Sequence, residues 1–197
     1  MTVPTAVAVV LSVLSECDGV TVSRTHEPHE SRQTIVAMAR EAYRMAPIAS
    51  GWCGYQIPPE MAFVTAFAEG GFHNLNRDHV ADPQHRSTGF FAMRPACWTK
   101  FARRVGFDDL LPRKKFDSDD EWARYICVLN RDFPEDQVDV YFTAAAYYLR
   151  ANGGDVSRFF SIWRWGYPTE TTYAARCAKI WRDRFGTYPP KGKLRKL

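Results

Sequence analysis

With 197 residues, a net charge of +4 and 46% hydrophobic content, the chain is long enough for one compact domain with its own core, so neither a metal nor disulfide staples are required to hold it together. The charge is modest and selects no partner, but Lys191, Lys193, Arg195 and Lys196 place four cations in the last seven residues. These residues, 187–197 as a unit, are expected to form a solvated, mobile basic tail, either simply solubilising or attracted to an anionic polymer. Five cysteines without a close pair (Cys17, Cys53, Cys97, Cys127 and Cys177) suggest neither a zinc knuckle nor a redox motif, and reduced thiols are expected. The five histidines also lack ligand spacing, so no metal and no cofactor are expected.

The apolar residues 3–14 have no basic residue before them and no convincing cleavage site after them, and they are too few to span a bilayer. They read as a first helix, with Pro4 near its first turn, in a protein made in the cytoplasm without an evident signal peptide and with no transmembrane segment. A second helix is expected from about residue 31 to residue 45, where Ile35, Met38, Ala39, Ala42 and Met45 follow helical spacing. Together they form an N-terminal helical segment, residues 1–48. Pro58 and Pro59 open a third helix, and residues 61–68 are almost wholly apolar, the mark of a helix buried on every side. Residues 72–88 are polar, irregular and long enough to suggest a functional loop.

Helical signals return over residues 95–105, 119–130 and 136–151. Ser118 with Glu121 reads as a capping box, and Asn152-Gly153-Gly154 as a stop. The stripe Val138, Tyr141, Phe142, Ala145, Tyr148 and Leu149 is assigned to the core. Asp155 caps a short helix to about Trp163, and Thr169 or Thr171 starts a last helix ending near Phe185. No sustained alternation of period two occurs, so the fold is expected to be mainly α, with at most a small β-hairpin in the polar loop.

Glu69 stands at the end of the apolar helix, directly before Gly70 and Gly71. A carboxyl there is expected to be partly desolvated, which favours its neutral form and so suits it to donate a proton near neutral pH. The lead Tyr55-Gln56-Ile57-Pro58-Pro59 and the helix ending in Ala68-Glu69-Gly70-Gly71-Phe72 resemble the opening of soluble lytic transglycosylase domains, which deliver a catalytic Glu in a Glu-Ser-Gly-Phe context. Gly89-Phe90-Phe91-Ala92-Met93-Arg94-Pro95-Ala96-Cys97-Trp98 is similar to that family's Gly-Leu-Met-Gln-Ile-x-Pro-Ala-Thr-Trp segment. Tyr141 to Leu149, then Ser161-Ile162-Trp163-Arg164-Trp165-Gly166, then Tyr173, are similar to its alanine-rich helix, Tyr-Asn-x-Gly turn and closing Tyr. Three departures accompany the likeness: Gly70 replaces Ser, Ala92 replaces Gln, and Trp163-Arg164 replaces Tyr-Asn. Arg164 is the most consequential, since it can pair with Glu69 and hold it ionised.

The resemblance implies a lysozyme-like α (α+β) catalytic domain over residues 49–186, preceded by the N-terminal helices. It implies that Glu69 first protonates the bond from N-acetylmuramic acid to N-acetylglucosamine and then, as carboxylate, deprotonates the muramyl 6-hydroxyl, closing a 1,6-anhydro ring. Phe90, Phe91, Met93, Trp163, Trp165 and Tyr173 are expected to line the sugar site. A lysozyme-type hydrolase on the same fold would need a second carboxylate, for which Asp82 and Asp78 are the candidates. A non-catalytic structural or wall-binding protein is the reading from a different class. Peptidoglycan strands are the expected partner, with other phage virion proteins as further candidates and no specific nucleic acid. The expected place of action is the cell wall, as a virion component or after release at lysis.

Overall fold

The structure is a computed structural model in which residues 32–72, 87–105, 117–118, 120–122, 124–126, 134–165, 172–186 and 188–197 are described. The expected first helix over residues 3–14 and most of the polar loop, with Asp78, Asp82 and all five histidines, lie outside these residues. What is described is mainly helical: α1 (Arg32–Cys53), α2 (Glu60–Gly70), α3 (Pro95–Ala102), α4 (Pro134–Ala151), α5 (Val156–Trp165) and α6 (Thr172–Ile180). Among the described residues β-structure is limited to isolated bridges, Tyr55 with Lys196, Thr88 with Met93 and Asp155 with Lys193. No helix among them is long and apolar enough to cross a membrane.

Helix α4 is the centre. Val138, Val140, Tyr141, Phe142, Ala144, Ala145 and Leu149 are buried, and α1 lies along it with Ile35, Met38, Ala42, Ala46 and Ala49 buried at helical spacing. Alanines on both buried faces suit a close helix pair, which Arg44 ties at its edge by two contacts of 2.9 Å to the carboxyl oxygens of Asp139. Residues 32–53 therefore form one helix, and the boundary expected after residue 48 falls inside it. The helix also outruns its expected end at residue 45. Pro47 lies within it with its ring on the exposed side, so the helix loses one internal N–H to carbonyl bond, while Ala46, Ala49 and Cys53 keep the opposite face buried.

The turn signals are realised in detail. Ser118 Oγ accepts the Glu121 N–H at 3.1 Å, and the Glu121 carboxylate reaches back to the Asp117 N–H, one residue beyond the usual box partner. Asp155 Oδ1 accepts the Arg158 N–H at 2.9 Å and so caps α5. Gly153 and Gly154, with φ of 65° and 75°, end α4 in the left-handed region. The last helix passes from α6 into a π-helical turn over Trp181–Phe185.

The C-terminal segment overturns the expectation of a mobile tail. Leu194 is buried, its N–H donates to Gly154 O at 2.9 Å, Gln56 N–H donates to Arg195 O at 2.8 Å, and Leu197 N–H donates to Gly54 O at 3.0 Å. Its cations lie outward while its backbone joins the turn after α1 to the turn after α4. Charge composition describes the side chains of such a segment and says nothing about where its amides go.

Candidate active site around Glu69

Helix α2 explains where Glu69 sits. Met61, Ala62, Phe63, Val64, Thr65, Ala66 and Ala68 are all buried, so the helix threads the core and its last turn emerges at the surface. Gly71 and Phe72 take φ of 63° and 66° and return their N–H groups to Phe67 O at 3.0 Å and Ala66 O at 3.3 Å, which stops the helix immediately beyond Glu69. The Glu69 side chain retains 3% of its exposure.

Among the described residues, two neighbours hold its carboxylate. Tyr173, in the first turn of α6, donates its hydroxyl to Oε1 at 2.6 Å, and Arg164, in the last turn of α5, donates from Nη1 to Oε2 at 3.2 Å. Arg164 keeps 39% of its exposure, and its guanidinium stands 5.9 Å from the Tyr173 ring centroid. The carbonyl dipoles at the end of α2 disfavour a negative charge there, and the arginine offsets them. Burial, with the Cys177 thiol and the Glu69 charge beside it, pushes the Tyr173 hydroxyl well above its ordinary pKa. Tyr173 therefore remains a donor over the physiological range.

Cys177 completes the chain of contacts. It lies one turn beyond Tyr173 on α6, wholly buried, and burial pushes its thiol up to about 12, with the Glu69 charge contributing. The sequence marks it only as a reduced thiol, but its spacing of four residues from Tyr173 is the signal that places the two on one helix face. Beneath them, Tyr141 donates to Met61 O at 3.0 Å and shares a hydrogen bond of 2.7 Å with Thr65 Oγ1, which fastens α4 to α2.

The aromatic residues expected at the sugar site divide. Tyr173 meets Glu69. Phe90, Phe91 and Met93 are instead core residues, at 0%, 1% and 2% exposure, with no free face for a sugar ring. Their segment is a tight turn: Thr88 and Met93 exchange N–H to carbonyl bonds of 3.1 and 3.0 Å, and Ala92 takes φ of 48°. Buried Gln137 Oε1 accepts the Phe90 N–H at 2.7 Å, and Phe91 stacks on Tyr141 with centroids 4.5 Å apart. Trp163 is half-buried; its indole N–H donates to Phe91 O at 3.0 Å and its ring meets Tyr141 edge-on at 4.9 Å. The second motif thus serves to pin this turn over α4. The Trp165 side chain lies outside what is described.

No group of three His, Cys, Asp or Glu among the described residues is arranged to hold a metal ion, and Cys53, Cys97 and Cys177 are free thiols. The arrangement around Glu69 offers one shielded carboxyl, an oriented phenol and a partly exposed guanidinium, a set suited to transferring a proton or to holding a polar substrate group. Compared with known proteins, the chain matches no family model, no curated protein and no solved structure.

Proposed function

We propose that the chain is a peptidoglycan-cleaving enzyme of the lytic transglycosylase type, built on a lysozyme-like fold, with Glu69 as the acid and then the base. The observation that carries this reading is the Glu69 carboxyl itself: 3% exposed at the end of a buried helix and aimed by the Tyr173 hydroxyl at 2.6 Å. A carboxyl so shielded transfers a proton where water competes little, and a fixed phenol orients one oxygen while Arg164 rests on the other.

The resting ion pair with Arg164 has to open first. The arginine is long and partly exposed, so an entering glycan can displace its guanidinium from Oε2, leaving the carboxyl to take up a proton. The proton then passes to the leaving glycosidic oxygen, the bond to C1 breaks, and the muramyl 6-hydroxyl attacks C1 as the carboxylate takes its proton. Atoms balance without water or metal. On this reading the protein acts on the cell wall, as a phage virion component or lysis enzyme. A lysozyme-type hydrolysis by Asp82 or Asp78 differs only in the second step.

The same ion pair favours a second reading, a non-catalytic wall-binding or structural protein in which Arg164 permanently satisfies Glu69. Mass spectrometry of fragments released from purified peptidoglycan separates the three. Anhydromuramyl ends are expected; reducing ends assign the hydrolase, and no release assigns the structural protein.

A further inference from the structure

Among the described residues the exposed large hydrophobic side chains are Trp52, at 47% exposure, Tyr147 at 41%, Ile48 at 38% and Leu197. Ile48 and Trp52 are one turn apart on α1 and share a face. Trp52 and Tyr147 line one open groove of about 550 Å³, whose remaining wall includes Thr143, Arg104 and Arg150. Lys100 Nζ stands 4.6 Å and Arg104 Cζ 4.7 Å from the Tyr147 ring centroid.

What sets these cations apart is their place beside exposed aromatic rings. Arg44, Arg124 and Arg158 each pair with a carboxylate, whereas among the described residues Lys100, Arg104 and Arg150 have no carboxylate partner. Uncompensated positive charge beside an exposed indole is complementary to an anion carried on something flat. The number of free ring faces narrows the class. Tyr147 is engaged by two cations, which among the described residues of the groove leaves Trp52 as the open platform. Single-stranded nucleic acid is held by a succession of stacked bases, whereas one platform flanked by arginines fits one pyranose ring with a carboxylate at its side.

We propose that the groove between Trp52 and Arg150 is a secondary binding site for a carboxylate-bearing glycan strand, built from none of the residues around Glu69. Trp52 stacks on a sugar ring and Arg104 and Arg150 receive the carboxylate that the strand carries. The inference rests on the reading of the chain as a wall-glycan enzyme for the identity of the strand, and its test reads binding rather than cleavage.

The full-length Glu69→Gln chain, which leaves the polymer uncut, is sedimented with purified peptidoglycan sacculi at low and high salt. Trp52→Ala, and separately Arg104→Gln with Arg150→Gln, are each introduced into it. Binding by the parent should weaken with salt, and each variant should lose at least about tenfold in affinity, equivalent to about 1.4 kcal/mol. Trp52→Tyr, which keeps a ring, should retain most of the binding, and unfolding curves confirm that each variant is folded. In the otherwise wild-type chain, Trp52→Ala should cut short soluble glycan fragments at the parent rate. Sacculus binding that is absent in the parent, or unchanged in both variants, overturns the proposal. Tighter binding of oligothymidylate than of sacculi through these same residues also overturns it and assigns the groove to nucleic acid. Binding that depends on Trp52 in a chain that releases no fragments would sink the catalytic reading while leaving this site standing.

Discussion

Replacing Arg164 by Gln probes the balance on which the site depends. At 3.2 Å and an effective dielectric constant of about 20, two unit charges attract by about 5 kcal/mol, but the guanidinium is 39% exposed, and solvent screening leaves about 1–2 kcal/mol. The pair exists only while Glu69 is ionised, so this contribution is present above the titration of the carboxyl and is lost as pH falls through it. Arg164→Gln should therefore lower stability by about 1–2 kcal/mol at neutral pH and by less in acid, because a neutral carboxyl makes no ion pair. The same change frees Glu69 to protonate, so cleavage of sacculi at neutral pH should rise about 5- to 30-fold, the factor equivalent to that energy. Urea unfolding of both proteins across this pH range, with fragment release measured in parallel, checks both effects. An equal loss of stability at neutral and at acid pH would show that Arg164 acts by packing and refute the argument.

Three further outcomes follow from the scaffold. Burial and the Glu41 carboxylate push Asp139 up to about 8, although Arg44 opposes them, while Glu41, which burial works to raise, is held low by hydrogen bonds from Arg44 and Asp139. The folded state then binds the Asp139 proton more tightly than the unfolded state, so its contribution is present at low pH and lost as pH rises from about 4 towards about 8; Asp139→Asn should flatten that slope in urea unfolding. Tyr141→Phe removes the hydroxyl's bonds to Met61 O and Thr65 Oγ1, while Thr65 Oγ1 keeps its own bond to Met61 O at 3.0 Å, so thermal unfolding should report a loss of about 1–2 kcal/mol. In Gly154→Ala the new Cβ would stand 2.5 Å from Tyr55 Cδ1 at a φ of +75°, so the variant should lose about 2 kcal/mol or more, and hydrogen exchange should show the Leu194 amide released first.

Much of the helical framework was legible because its signals are local. Pro58-Pro59, Ser118 with Glu121, Asp155 and Gly153-Gly154 mark ends through their own backbone geometry, and the apolar run of α2 announces a buried helix. Signals that depend on distant partners were not. Nothing near Pro47 says that packing of the opposite face against α4 carries α1 past it, and nothing in a basic C-terminus says that its amides bond to Gly54 and Gly154. Phe90, Phe91 and Met93 were misplaced because aromatic residues suit a sugar cleft and a core equally; only the turn pinned by Gln137 and Trp163 decides between them. Around Glu69, the approach of Arg164 was legible as a consequence of its motif position, whereas the part played by Cys177 required Tyr173 to be seen against the carboxylate.

The most direct test of the account is the release of anhydromuramyl fragments from purified sacculi by the wild-type chain and by Glu69→Gln. The substitution keeps the shape of the side chain and its contact with Tyr173 while abolishing proton transfer. A loss of at least about a hundredfold, with folding unchanged, is the predicted result. Undiminished cleavage by Glu69→Gln would contradict the central claim, and absence of cleavage by the wild-type chain would leave Glu69 and Arg164 as a structural pair.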